Sequence, residues 1–107
     1  MEDALRAIGD PTRRAILRLV RDEELPAGVI AGNFRSTRPA ISQHLRILKD
    51  AGLIDERRDG TRRLYRARPE GLEDLRAFLD EMWDVSLARL KSAAENEART
   101  QAQGEDG

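Results

Sequence analysis

Apolar residues recur along most of this chain at the three- and four-residue spacing of helices, and the exceptions fall together in one short stretch. Residues 2–8 read as a short helix with Leu5 and Ile8 on one side. Asp10-Pro11-Thr12 is then a strong helix start, with Asp10 as N-cap and Pro11 at the first helical position, where a missing N–H costs nothing. That helix runs to about Val20, with Ala15, Ile16, Leu19 and Val20 as its apolar side. After the polar break Asp22-Glu23-Glu24, Pro26 starts a helix weakened by Gly28 and Gly32, with Val29, Ile30 and Phe34 as its apolar side. Ser36 or Thr37 caps the next helix, which carries Pro39 in its first turn. Ile41, Leu45 and Leu48 form its single stripe, Ile47 lies beside them, and Gly52 closes it at the left-handed C′ position.

The period then changes. Leu53 to Arg58 and Thr61 to Ala67 are strand-like runs that flank Asp59-Gly60, a short-range hairpin signal. A two-residue Asp-Gly turn pairs Arg58 with Thr61, Arg57 with Arg62, Glu56 with Arg63 and Ile54 with Tyr65. From about Glu70 to Asn96 the helical period returns, and Leu72, Leu75, Phe78, Leu79, Met82, Trp83, Leu87 and Leu90 make a stripe wider than one face. Beyond Glu95 the chain turns to Gln, Glu, Asp and Gly, so residues 95–107 are expected to be a disordered tail on a single domain, 1–94. The fold expected is mainly α with a β-hairpin wing (α+β), the outline of a winged helix-turn-helix.

Charge sharpens this picture. The net charge of the 107 residues is −1, yet residues 35–68 hold ten basic and four acidic side chains, whereas 69–107 hold four and ten. A basic block between neutral and acidic flanks points to a polyanion partner for the middle of the chain only. The absence of cysteine excludes disulfides and thiolate metal sites. His44 is the one histidine and has no second soft ligand near it in sequence, so no metal site and no cofactor are expected. No apolar run approaches the roughly 20 residues that cross a bilayer, and the charged first nine residues hold no signal-like apolar segment, so a cytoplasmic protein is expected.

The hairpin and the capped helix before it carry the candidate chemistry. With Ile41, Leu45 and Leu48 turned to the core, Arg38, Ser42, Gln43 and Arg46 are left on the outer sides of a helix of the right size for a DNA major groove. Arg can bond guanine, and Gln can bond adenine, in bidentate fashion. The hydroxyls of Ser36 and Thr37 and the helix N-terminus suit a phosphate. His44 reads as touching phosphate or base, or as packing beneath them. Arg57, Arg58, Arg62 and Arg63 surround the turn and can straddle a phosphate backbone, although Arg57 and Arg58 could equally pair with acidic neighbours. The wide stripe on the last helix exceeds what so small a monomer can bury, which favours a symmetric pairing with a second copy over a ligand pocket beside Trp83. No nucleophile–base pair or phosphate-cradling glycine loop is visible, so an enzyme is not expected. The alternative to DNA binding is a winged-helix module that binds protein through the same basic face.

Asp10-Pro11-Thr12-Arg13-Arg14-Ala15-Ile16-Leu17, Arg38-Pro39-Ala40-Ile41-Ser42-Gln43-His44-Leu45, Leu48, Ala51-Gly52-Leu53-Ile54 and the wing ending in Leu64-Tyr65 together resemble the ArsR/SmtB family of winged-helix repressors. The resemblance covers about residues 3–92. It implies a homodimer formed through the first and last helices, with Leu5, Ile8, Leu72, Leu75, Leu79, Met82, Trp83 and Leu87 as interface candidates. It also implies a repressor, often of its own promoter, bound to an inverted repeat in duplex DNA, with Ser42-Gln43-His44-Leu45 in the recognition helix. Metal-sensing members carry cysteines before the recognition helix, or His and carboxylate ligands on the last helix. Here the stretch from Leu25 to Val29 has no Cys, and the last helix offers Asp74, Asp80, Glu81 and Asp84 without a His. The chain therefore looks closer to the non-metal, SdpR-like subgroup, and nothing in its residues names a small-molecule effector.

Overall fold

A computed structural model describes the backbone of residues 1–105 and the side chains of residues 1–98. The elements are α1 (Glu2–Ile8), α2 (Pro11–Val20), β1 (Leu25–Pro26), α3 (Ala27–Gly32), α4 (Arg38–Asp50), β2 (Ile54–Asp59), β3 (Arg62–Ala67) and α5 (Pro69–Glu105). The chain divides into two compact units, 1–75 and 76–107, so the first unit ends inside α5.

Local chemistry sets the helix ends of the first unit. The Asp10 carboxylate accepts from the N–H groups of Thr12 at 2.8 Å and Arg13 at 3.1 Å, and Pro11 follows in the first turn of α2. Thr37, of the two capping candidates, closes the start of α4 by accepting from the Ala40 N–H. At the other end of α4, Gly52 takes a φ of +77°. Its N–H bonds the Lys49 carbonyl while that of Leu53 bonds Leu48, the paired bonds of a Schellman motif. Gly71 has a different reason to be glycine. A Cβ there would run into the carbonyl oxygen of Gly52, so the first turns of α5 lie directly on the end of α4.

The core is drawn from every element of this unit. Ile16 and Val20 of α2, Ile30 of α3, Ile41, Leu45 and Leu48 of α4, and Leu53 and Ile54 at the start of the hairpin are fully buried. On α1 the buried residues are Ala4 and Ala7, while Leu5 and Ile8 are only half-buried and pack around them. Small residues let that short helix approach closely, so its two larger side chains spread to either side. On α3, Ile30 and Ala31 face inward and Val29 is exposed, contrary to the inward position expected for it.

The wing is a three-stranded antiparallel sheet of order β1-β3-β2, with an edge strand that the sequence pattern did not announce. Leu25 and Pro26 pair with Tyr65 and Leu64. Pro26 therefore ends a strand and stands before α3 as its cap, rather than within it. Ile54 pairs with Ala67, Glu56 with Tyr65, Arg58 with Arg63 and Asp59 with Arg62, which corrects the expected register. The turn is Gly60-Thr61. Gly60 has φ +63° and, among the described residues, no non-glycine residue has positive φ, as a type II′ turn with glycine first requires. An Asp59-Gly60 turn of type I′ would force Asp59 into the left-handed region. Moving the turn by one residue moves each partner by two, so every side chain keeps its face.

The helix α5 extends to Glu105, past the end expected near Asn96. Ala, Glu, Gln and Arg, all good helix formers, dominate that stretch. The last two residues of the expected tail lie outside the described residues.

Candidate nucleic-acid interface

Helical spacing along α4 places Arg38, Ser42, Arg46 and Lys49 on one flank, and this flank faces the wing across an open cleft of about 1050 Å³. Arg62, Arg63 and Tyr65 of β3, Glu56 of β2 and Val29 of α3 complete its walls. Five cationic side chains line the cleft against two carboxylates, Asp50 and Glu56, so its field is positive.

The carboxylates organise the cations. Glu56 is largely enclosed and lies 3.3 Å from Lys49 Nζ and 3.4 Å from Arg63 Nη1, tying the end of α4 to the wing. Asp50 is 3.9 Å from Arg46, and Asp59 is 3.2 Å from Arg62 at the hairpin tip. These last pairs are well exposed and would exchange readily for a phosphate. Arg38 and Arg58 have no ion-pair partner among the described residues. Burial, aided by the charge of Glu56, pushes the Tyr65 phenol above its ordinary value, so it remains a neutral hydroxyl in the cleft wall.

The sequence candidates do not all meet there. Arg38, Ser42, Arg46, Arg62 and Arg63 do. Ser36, Thr37 and Gln43 are exposed at the start and on the outer side of α4. Arg58 sits across the hairpin from Arg63. Arg57 takes the other face of the sheet, where its Nε and Nη2 donate to Glu24 at 2.7 and 2.6 Å. The recess around it is lined by five carboxylates, among them Asp22, Glu23 and Asp55, against three arginines. Arg57 thus pairs with a carboxylate 33 residues away and not with the local acidic neighbours expected as its alternative to DNA. The hydrogen bond from Arg57 also holds the Glu24 carboxyl below its ordinary value. His44 is half-buried on the α2 side of α4, beside Arg13. Lys49, Glu56 and Tyr65 are cleft residues that the sequence reading missed. Lys49 was within reach of it, since it continues the spacing of Arg38, Ser42 and Arg46.

The expected interface residues divide between the two units. Leu75 is buried and Leu72 half-buried in the core of the first, which already uses them. Leu79, Met82, Trp83 and Leu87 belong to the second, a lone helix on which Trp83 is 63% exposed and Leu90 66%. Among the described residues no group of three or more His, Cys, Asp or Glu side chains could hold a metal ion. No helix is long and apolar enough to cross a membrane, again among the described residues.

Helices α3 and α4, closed by a hairpin that shares a cationic cleft with the second of them, define a winged helix-turn-helix protein. Residues 8–57 match a family model described as a helix-turn-helix domain. The HTH-type transcriptional regulator Rv2034 of Mycobacterium tuberculosis is 40% identical over 94 residues, 88% of each chain. The transcriptional repressor SdpR of Bacillus subtilis is 42% identical over 74 residues, 69% of this chain and 82% of that one. Among solved structures, the homodimeric winged helix-turn-helix DNA-binding domain Mb0332 of Mycobacterium bovis, described as "a possible ArsR-family transcriptional regulator", superposes with a TM-score of 0.64. It is 30% identical and covers 78% of this chain and 77% of its own. The chain belongs to the ArsR/SmtB family of transcriptional regulators.

Proposed function

We propose that this regulator is a cytoplasmic homodimer that binds an inverted repeat in duplex DNA and represses the promoter carrying it. One observation carries the reading: the exposed flank of α4 and Arg62 and Arg63 of the wing line a single cationic cleft. A helix in the major groove with a hairpin beside it can read bases and grip the adjoining backbone together. Arg38, Ser42, Gln43 and Arg46 are the base- and groove-facing set. Ser36, Thr37, Arg58, Arg62 and Arg63 hold phosphate, and Arg57 supports the wing from behind. The exposed apolar side of α5 from Leu79 to Leu90 is the face that meets a second copy, with Leu5 and Ile8 of α1 as the lesser part. Two-fold pairing would set two recognition helices about 34–36 Å apart, one turn of DNA.

Selection of bound sequences from a random duplex pool, with the purified full chain, tests this directly. The expected product is two inverted half-sites centred about 10 base pairs apart. Arg38→Ala and Gln43→Ala should relax the enriched sequence. Arg62→Ala should weaken binding to every duplex and reduce the log–log salt slope by about 0.9. Failure to enrich any sequence, together with a monomer in sedimentation, would overturn the reading.

A further inference from the structure

The Arg13 guanidinium joins three elements. Its Nε donates to the Ala7 carbonyl at 2.7 Å and its Nη2 to the Arg6 carbonyl at 3.2 Å, both at the end of α1. Its Nη1 lies 3.3 Å from Nδ1 of His44 on α4. Arg13 itself sits in the first turn of α2, where its N–H bonds the capping carboxylate of Asp10. The side chain is thus held in place from two sides before it reaches the histidine.

A guanidinium has donors and no acceptor. His44 Nδ1 must therefore accept, which leaves the proton of the neutral ring on Nε2. Among the described residues Nε2 has no partner and no buried side-chain nitrogen lacks one, so this N–H opens to solvent. It does so on the flank of α4 turned to α2, whereas Arg38, Ser42, Arg46 and Lys49 occupy the flank along the cleft. A helix seated in a major groove lies between two phosphate strands, and contacts on both flanks fix its rotation.

We propose that Arg13 is a positioning residue that locks His44 in the Nε2–H tautomer, so that α4 presents one fixed, uncharged donor to a backbone phosphate on the flank away from the wing. The inference rests on the duplex-DNA reading above. It goes beyond that reading in assigning His44 a partner, a tautomer and a charge state, and in giving a role to a residue that touches no DNA. An uncharged donor orients the helix without displacing a counterion, so its loss has a different signature from the loss of a cleft arginine.

Nitrogen-15 NMR of the full chain without DNA reads the tautomer. Titration of a random-sequence duplex at several salt concentrations reads the contact. The Nε2–H tautomer is expected in the parent protein, and a mixture of tautomers in Arg13→Lys, whose single nitrogen cannot reach the acceptors that Nε, Nη1 and Nη2 meet separately. His44→Ala should weaken binding about tenfold, the loss of one hydrogen bond to a charged group, with the salt slope unchanged. His44→Gln, whose amide nitrogen reaches as far as Nε2, should restore most of it. Arg13→Lys should weaken binding to a similar degree and add nothing in the His44→Ala background. A parent Nδ1–H tautomer, a slope reduced by about 0.9 in His44→Ala, or independent losses from the two substitutions would each overturn the proposal. The His44 variants decide the matter even where Arg13→Lys fails to fold. A parent protein that binds no duplex would sink the DNA reading itself, whereas binding indifferent to His44 sinks only this inference.

Discussion

The helix α4 and the part of α5 beyond Arg76 carry the same kind of apolar stripe, and the folded chain treats them in opposite ways. Ile41, Leu45 and Leu48 are at most 1% exposed. Leu79, Met82, Trp83, Val85, Leu87 and Leu90 all remain more than 40% exposed. Periodicity states only that a helix has a face to bury. It does not state whether the cover comes from the same chain. In the first unit α1, α2, α3 and the sheet supply that cover, whereas the second unit is a single helix with nothing of its own to set against the stripe. A row of six large apolar side chains left in water is costly at roughly 25 cal/mol per Å², and a second copy is the economical cover.

Substitutions on the two helices separate these cases. The largest effect is expected from Leu45→Ala, which opens a cavity under α4 and should cost about 2–5 kcal/mol of unfolding free energy. If α4 is covered by its own chain, that loss appears in denaturant unfolding and is independent of protein concentration. Trp83→Ala should leave the first unit folded and weaken assembly by about 2 kcal/mol or more, as removal of a central interface aromatic does. Sedimentation across a concentration series measures it, and an unchanged association constant would show that this face is covered in some other way.

Smaller effects test the surface that α4 keeps in water. Gln43→Ala should lose about 1–3 kcal/mol of discrimination at one base position while leaving binding to random duplex near the parent value, as competition titrations would show. Acid should act on the first unit before the second. The N–H groups of Arg13 and Thr12 hold the Asp10 carboxyl below its ordinary value of 3.8, and Arg57 does the same for Glu24. Groups lowered on folding add stability that is present above their ordinary values and lost as pH falls through the lowered ones. Asp10→Asn keeps a capping oxygen and removes the titration, so its melting temperature should fall less steeply on acidification. An equal acid dependence in parent and variant would show that the cap does not contribute to it.

Much of the cleft was legible in the sequence because its parts are local. Arg38, Ser42 and Arg46 follow from one helical repeat once Ile41, Leu45 and Leu48 are turned inward, and Arg62 and Arg63 follow from a hairpin beside a glycine. The remainder depends on neighbours distant in the chain. Glu24 draws Arg57 to the far side of the sheet, and Glu56 is recruited between Lys49 and Arg63 only because the hairpin folds back along α4. Arg13 and His44 were each visible in their motifs, yet no spacing rule joins residues 31 apart.

The amino-acid order alone determined the succession of helices and hairpin, the caps at Asp10 and Gly52, the inward residues of α4 and the concentration of positive charge in the middle of the chain. Each of these arises within a turn or two of backbone, where propensity, capping and side-chain period act directly. Only the tertiary structure decided the third strand, the Gly60-Thr61 turn, the seating of Gly71 on Gly52, the outward position of Val29 and the membership of the cleft. Those are choices among partners, and a partner is chosen by packing and charge between segments that meet only when the chain is closed.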